Sequence, residues 1–343
     1  MLAYIIIFII SFLTVYLLTP KVIEIMKQQK FVGKDMNKYS KPSVAELGGV
    51  PIFLGFVFAS TAAIFMATYL GLTLDLLTFL AGMLTITLIG FIGTIDDIIG
   101  WKKGIRQWQH ALFPIIAALP LMAVQITNPP IIIPILGALP SEFIFPFGIV
   151  ISFGVLYSLV LVPIGVTGAS NAANMLAGLN GLESGLSILI LSTLAILCAV
   201  TGRVEALIFA LAMIGALIAF LKFNWVPAKI FGGDGLTLMA GASIAVVSII
   251  GNMEKIGILL LGMYFIELYL KARNKFQGEC FGIPQKNGIL LPPKEKQSLT
   301  HYFMAINPTT EKNVVIRILL TQALICIIVL ILAYLNLVEI IKI

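Results

Sequence analysis

The chain has 343 residues, of which 59% are hydrophobic and 11% charged, against roughly 25% charged in an ordinary soluble domain. That apolar excess excludes a water-soluble fold. The net charge of +6 points to membrane topology and not to a nucleic-acid partner, because the basic residues sit beside apolar segments.

The apolar residues fall in blocks near the length of about 20 that a helix needs to cross roughly 30 Å of hydrocarbon. The first block, 1–20, lacks a basic start and a small-residue cleavage site, so it reads as a retained span. The connection 21–47 is basic, and Glu46 stands just before the Gly-rich entry of a second span, 48–70. An acid there is costly without a partner, although a solvated acid at a membrane edge is the commoner case.

A third span, 76–95, ends in Asp96 and Asp97. Two carboxylates at that point face each other and the negative end of a helix dipole. They need a cation, either Lys102, Lys103 and Arg106 or a divalent metal; a solvated pair marking the membrane exit is an equal alternative. A fourth span, 109–127, leads into NPPIIIPILGALPSEFIF at 128–145. This stretch is too short and too Pro-broken to cross, and its β-branched residues predict an extended interfacial hairpin.

The fifth span, 146–166, precedes SNAANMLAGLNGLESG. Asn171 and Asn174, three apart, share a helix face, and carboxamides can ligate hard cations or read a base or sugar. Gly178, Gly181 and Gly185 permit close approach by a ligand or a helix. Polar glue between helices is the alternative, but three Asn with Glu183 exceed what glue requires.

Spans at 184–201 and 204–221 lead to KFNWVPAKIFGGDGLTLMAG. Asp234 is the expected N-cap of the eighth span, 236–250. Free N–H groups at that helix start suit a phosphate, with Asp234 as a metal ligand or as an ordinary cap. In the ninth span, 256–271, Glu267 is simplest to explain by snorkelling towards Lys271. The basic connection 272–313 has enough charge to meet anionic lipid or a pyrophosphate, and 314–336 is the tenth span. The three cysteines, Cys198, Cys280 and Cys326, imply no disulfide framework.

Eighteen of the 22 Lys and Arg lie in the connections 21–47, 96–110, 167–183, 222–235 and 271–313, and three lie on the other side. The positive-inside bias makes the first set cytosolic and puts both termini outside. Glu46, Asp96, Asp97, Asn171, Asn174, Asn180, Glu183 and Asp234 all fall on that cytosolic side. Without an internal repeat, residues 1–343 read as a single membrane domain.

Taken in order, GKDMNKYS and AELGGVP, GFIGTIDDIIGW, NAANMLAGLNGLESG and FNWVPAKIFGGDG resemble the polyprenyl-phosphate N-acetylhexosamine-1-phosphate transferase family. The likeness is greatest to its dolichyl-phosphate branch, which begins N-glycan assembly in eukaryotes and archaea. Bacterial members usually read DG-x-DGL where this chain has Ala177 and Asn180.

The resemblance implies an all-α polytopic membrane enzyme of ten spans. It also implies a reaction dependent on Mg²⁺, for which Mn²⁺ can substitute, in which a dolichyl or other polyprenyl phosphate attacks the β-phosphorus of UDP-GlcNAc and releases UMP. By matching position, Asn174 and Asp234 hold the metal and Asn171 supports the pyrophosphate. Asn180 with Glu46 helps hold the nucleotide, and Asp96 with Asp97 is the essential catalytic pair. The implied location is the cell membrane of a prokaryote or the ER membrane of a eukaryote, and a homodimer stays open.

Two departures leave the basic half of the site unassigned. His110 stands where many members place a Lys, and ECFGIPQKNG replaces a His/Arg-rich motif. The same transfer with another UDP-N-acetylhexosamine or with undecaprenyl phosphate is the near alternative. A polytopic transporter, which would place polar groups near mid-bilayer, is the distant one.

Overall fold

The structure, a computed structural model, describes residues 1–103, 107–124 and 149–335 with the strand segments 132–133, 137–138 and 142–145; side chains at 100–111 and 125–152 are not described. In chain order the elements are α1 (Leu2–Gln28), β1 (Val32–Lys34), β2 (Ser43–Ala45), α2 (Gly49–Tyr69), α3 (Leu76–Lys103), α4 (Gln107–Ala117) and α5 (Leu119–Met122). Strands β3 (Ile132–Ile133), β4 (Gly137–Ala138), β5 (Glu142–Phe145) and β6 (Ile149–Ser152) follow, then α6 (Phe153–Leu156), a π turn at Tyr157–Leu161 and α7 (Val162–Met175). The rest is α8 (Leu182–Thr201), α9 (Val204–Asn224), α10 (Gly233–Ile250), α11 (Glu254–Leu260), α12 (Gly262–Arg273), β7 (Ile283–Pro284), β8 (Ile289–Leu291), α13 (Leu299–Ile306), β9 (Thr309–Thr310) and α14 (Glu311–Tyr334).

The protein is an all-α polytopic integral membrane protein. Among the described residues eight helices are long and apolar enough to cross a bilayer: α1, α2, α3, the run from α6 through α7, α8, α9, α10 and α14. Four sequence expectations need correction. The fourth block is divided at Ala118 into α4 and α5, with Pro114 and Pro120 on either side; each Pro removes a backbone donor from a helix. The ninth is divided at Leu261 into α11 and α12, and the Gly262 that follows is a poor helix former. The fifth begins at Phe153 because 149–152 pair antiparallel with 142–145. The third runs on to Lys103, so Asp96 and Asp97 lie inside α3 and not at its end.

The extended hairpin expected at 128–145 takes the form of two antiparallel pairs, β3 with β4 and β5 with β6; the remainder of that stretch lies outside the described residues. All three cysteines are free and buried.

Helix α10 is the central element, buried from Gly235 through Ile250, as an all-round apolar helix should be. Glycines bring its start against its neighbours. A Cβ on Gly93 of α3 would lie 2.5 Å from the Asp234 carbonyl oxygen, and one on Gly49 of α2 would lie 2.7 Å from the Gly235 backbone. Only the absence of a side chain permits such approach. The ends of α1, α3, α7, α9 and α12 therefore meet the starts of α2, α8, α10 and α14 at one end of the bundle, where Asp97 bonds to Asp234 and Asn180 to Glu311.

Candidate active site

The floor of the site is the first turn of α10. Asp97, reaching across from α3, accepts the Asp234 N–H at 2.7 Å on Oδ1 and the Gly235 N–H at 3.0 Å on Oδ2. A carboxylate on the free amides of a helix start is a charge-assisted cap. This corrects two expectations. Asp234 is not the N-cap, because α10 begins at Gly233 and Asp234 stands in its first turn. Two N–H groups that might have seated a phosphate are occupied by Asp97. Nor is the Asp96–Asp97 pair solvated: Asp96 is 4% exposed. The side chains of Lys102, Lys103, Arg106 and His110 lie outside the described residues.

Relieved of capping, the Asp234 side chain turns to α7, where its Oδ1 accepts from Asn174 Nδ2 at 3.0 Å. Both line a cavity of about 280 Å³ together with Glu46, Asn180 and Glu183. Glu46 precedes α2, where the Ile230–Gly232 strip is pinned by Phe231 N–H to Ala45 O at 2.8 Å and Gly48 N–H to Phe231 O at 2.9 Å. Burial, and then the charge of Asp234, push the Glu46 carboxyl up to about 7. The solvated reading of Glu46 is thereby displaced, since water would hold it near its ordinary value.

The donor set fits a small hard dication. Such an ion takes one or two carboxylates, keeps several waters and completes its shell with phosphate oxygens. Asp234 supplies a carboxylate, Asn174 an amide oxygen, and a positive charge there would relieve the mutual repulsion of Asp234 and Glu46. Among the described residues no three His, Cys, Asp or Glu side chains cluster as a self-sufficient metal site. Asn171 is not part of the cavity lining; its Nδ2 donates to the Thr167 carbonyl of its own helix at 2.9 Å.

The opposite wall is the turn Gly178–Gly181, whose glycines have φ of +119° and +80°, backbone that L side chains rarely adopt. The Gly178 N–H donates to Glu183 Oε1 at 2.6 Å, and the Gly178 carbonyl accepts from Asn37 Nδ2 at 2.7 Å. The Asn180 N–H donates to Glu311 Oε1 at 2.8 Å, and the Gly181 N–H to Asn224 Oδ1 at 3.1 Å. Asn180 Nδ2 donates to Asp35 Oδ2 at 2.8 Å. Lys38 bonds to Glu311 and lies 3.4 Å from Asp35, and Asn37 Oδ1 accepts the Gly282 N–H at 3.0 Å.

Asp35, Asn37, Lys38, Asn224 and Glu311 were not singled out from sequence. Asp35 and Glu311 lie 145 and 131 residues from Asn180, and only the GKDMNKYS string signalled the first three. Lys34 is the one Lys or Arg lining the cavity among the described residues.

Glu267 does not snorkel. It is fully buried, lies 3.7 Å from Lys271, and accepts from Ser298 Oγ at 3.0 Å and the Leu299 N–H at 2.6 Å. A buried, paired carboxylate here anchors α13 to α12.

The model of "Glycosyl transferase family 4" matches residues 79–252, the stretch from α3 to the end of α10 that builds the floor. The chain belongs to glycosyl transferase family 4. Relatives cover far more of it than that stretch. A Saccharolobus solfataricus protein named "Putative UDP-N-acetylglucosamine--dolichyl-phosphate N-acetylglucosaminephosphotransferase" is 36% identical over 94% of both chains. A Sulfolobus acidocaldarius protein of the same name is 34% identical over 90% of both. A phospho-N-acetylmuramoyl-pentapeptide-transferase of Limosilactobacillus reuteri is 32% identical over 75% of this chain and 77% of its own.

Proposed function

We propose that the protein transfers GlcNAc-1-phosphate from UDP-GlcNAc to dolichyl or another polyprenyl phosphate, releasing UMP and forming the lipid pyrophosphate that starts protein N-glycosylation. The observation that carries this reading is the Asn174–Asp234 pair, which joins α7 to the first turn of α10 and faces a cavity that Glu46 and Asn180 also line. The names of the two archaeal relatives, which match along most of the chain, favour dolichyl phosphate over the bacterial lipid.

In the reaction an oxygen of the lipid phosphate forms a bond to the β-phosphorus, and the bond from that phosphorus to the bridging oxygen breaks, so UMP leaves with the electron pair. Phosphoryl transfer needs positioning and charge neutralisation more than covalent protein chemistry. Asn174 and Asp234 would hold Mg²⁺, which when bound neutralises pyrophosphate charge. Asn180 and Glu46 hold the nucleotide, and Asn171, one turn before Asn174, supports the pyrophosphate side.

Asp96 and Asp97 remain the essential pair, but Asp97 acts through α10. Both its oxygens are engaged by backbone amides, so it positions Asp234. A lipid phosphate is already largely ionised at neutral pH and needs no base. The site face is assigned to the cytosol, on the eighteen basic residues of that side.

Purified protein incubated with UDP-GlcNAc, Mg²⁺ and dolichyl phosphate should yield UMP and a lipid-linked GlcNAc, and Asp234→Ala should yield neither while remaining folded. Formation of neither product by the unaltered protein, across several UDP-sugars and lipids, would overturn the proposal.

A further inference from the structure

Asn180 stands at the cavity wall with its amide already committed on one side. Its Nδ2 donates to Asp35 Oδ2 at 2.8 Å. An ionised carboxylate only accepts, so the amide nitrogen, and not the oxygen, must face it. Asp35 is itself fixed: it is 3% exposed, its Oδ1 accepts the Asn37 N–H at 3.1 Å, and Lys38 lies 3.4 Å from Oδ2. Glu311 holds the backbone N–H of the same Asn180, so neither the turn nor the amide has freedom to rotate. Asn180 Oδ1 accepts no hydrogen bond among the described residues and belongs to a side chain on the cavity lining.

The pairing around Asn180 says what kind of group it meets. Lys38 is bound to Asp35 and Glu311, and Glu183 is spent on the Gly178 N–H, so the charges of this wall are largely offset among themselves and a neutral ring edge suits it. With the nucleotide held at Asn180 as proposed above, its base end belongs there, and the phosphates belong towards Asn174 and Asp234, where the metal would sit. A base edge meeting Oδ1 has to donate. Uracil offers an N3–H. Cytosine has a bare acceptor at N3, and its one donor on that edge is the N4 amine, so it must shift along the wall to satisfy Oδ1.

We infer that Asp35 is a positioning residue that sets base selectivity: by holding the Asn180 amide nitrogen it turns the amide oxygen to the cavity, which selects a ring N–H such as that of uracil and rejects cytosine. This rests on the nucleotide-sugar reading above and goes beyond it by assigning the choice of base to a residue that does not touch the ligand.

The test is equilibrium binding of UDP, CDP and N3-methylated UDP to the full-length protein in detergent with Mg²⁺. The unaltered protein should bind UDP more tightly than either analogue by at least about tenfold, the size expected when a polar group is left unpaired. In Asp35→Asn the new amide can accept or donate, so Asn180 can flip. The UDP-to-CDP ratio should then fall by about fivefold or more, with little change in melting temperature. A merely structural role for Asp35 would weaken both nucleotides together and leave the ratio intact. An unchanged ratio in Asp35→Asn, or equal binding of UDP and N3-methylated UDP by the unaltered protein, overturns the inference and leaves the transferase reading standing. Failure of the unaltered protein to bind any of the three overturns both.

Discussion

A single half-buried carboxyl carries the charge conflict of the cavity. Glu46 sits near 7 in the fold against an ordinary 4.5, through burial first and the charge of Asp234 second. A folded value above the unfolded one means that the folded chain keeps a proton that the unfolded chain has released. Acid therefore favours the fold, and the advantage is lost as pH rises from about 4.5 to about 7. Replacement by Gln, which cannot ionise, removes this loss. Glu46→Gln should melt with the wild type below the window and above it, by on the order of a few degrees, at pH 8. Mg²⁺ at pH 8 should narrow the gap by offsetting the charge that Asp234 imposes. Thermal melts across pH 4 to 8 decide the matter, and a gap independent of pH would remove Glu46 as its source.

Helix α10 shows what an element contributes beyond its residues. Its first turn is held by Asp97 from α3 and approached through Gly93 and Gly49, so the site floor depends on helix spacing of a few tenths of an ångström. In Gly93→Ala the new methyl would lie 2.5 Å from the Asp234 carbonyl oxygen. That neighbour is backbone and cannot swing away, so α3 and α10 must part, at a cost of about 1–3 kcal/mol. Gly82→Ala, at the far end of α3, would meet only side chains of Ile250 and Phe209. Both variants should lower the melting temperature, but only Gly93→Ala should lower UMP release, by at least about tenfold, through displacement of Asp234. Equal activity loss in the two would show that general destabilisation is responsible.

At this scale sequence and structure part company in an instructive way. Hydrophobic block length located α1, α2, α8, α9 and α14, because crossing length is a property of a contiguous segment. It missed the breaks at Ala118 and Leu261, since a block average does not register one interrupted turn. Asn174 and Asp234 were legible as polar residues at helix ends. Their meeting, the Asp97 cap and the Asp35–Asn180 pair were not, because those partners are 60, 137 and 145 residues apart and no local period encodes such pairings.

For the whole molecule the open quantity is orientation, and charge argues it. The loops at the site end carry the Lys and Arg excess, while the α2–α3 and α8–α9 connections carry almost none; translocating cationic loops is disfavoured, so the site end should face the cytosol. The three native cysteines are buried, and buried thiols are poor nucleophiles, so single exposed cysteines can report on sidedness with little background. Ser40 lies exposed between β1 and β2 at the site end, and Thr73 lies exposed between α2 and α3 at the other. In sealed cells a membrane-impermeant maleimide should label Thr73→Cys and spare Ser40→Cys. In inverted vesicles the pattern should reverse. Labelling of Ser40→Cys in sealed cells would place the cavity outside, where a cytosolic sugar nucleotide could not reach it, and would overturn the topology together with the proposed substrate route that depends on it.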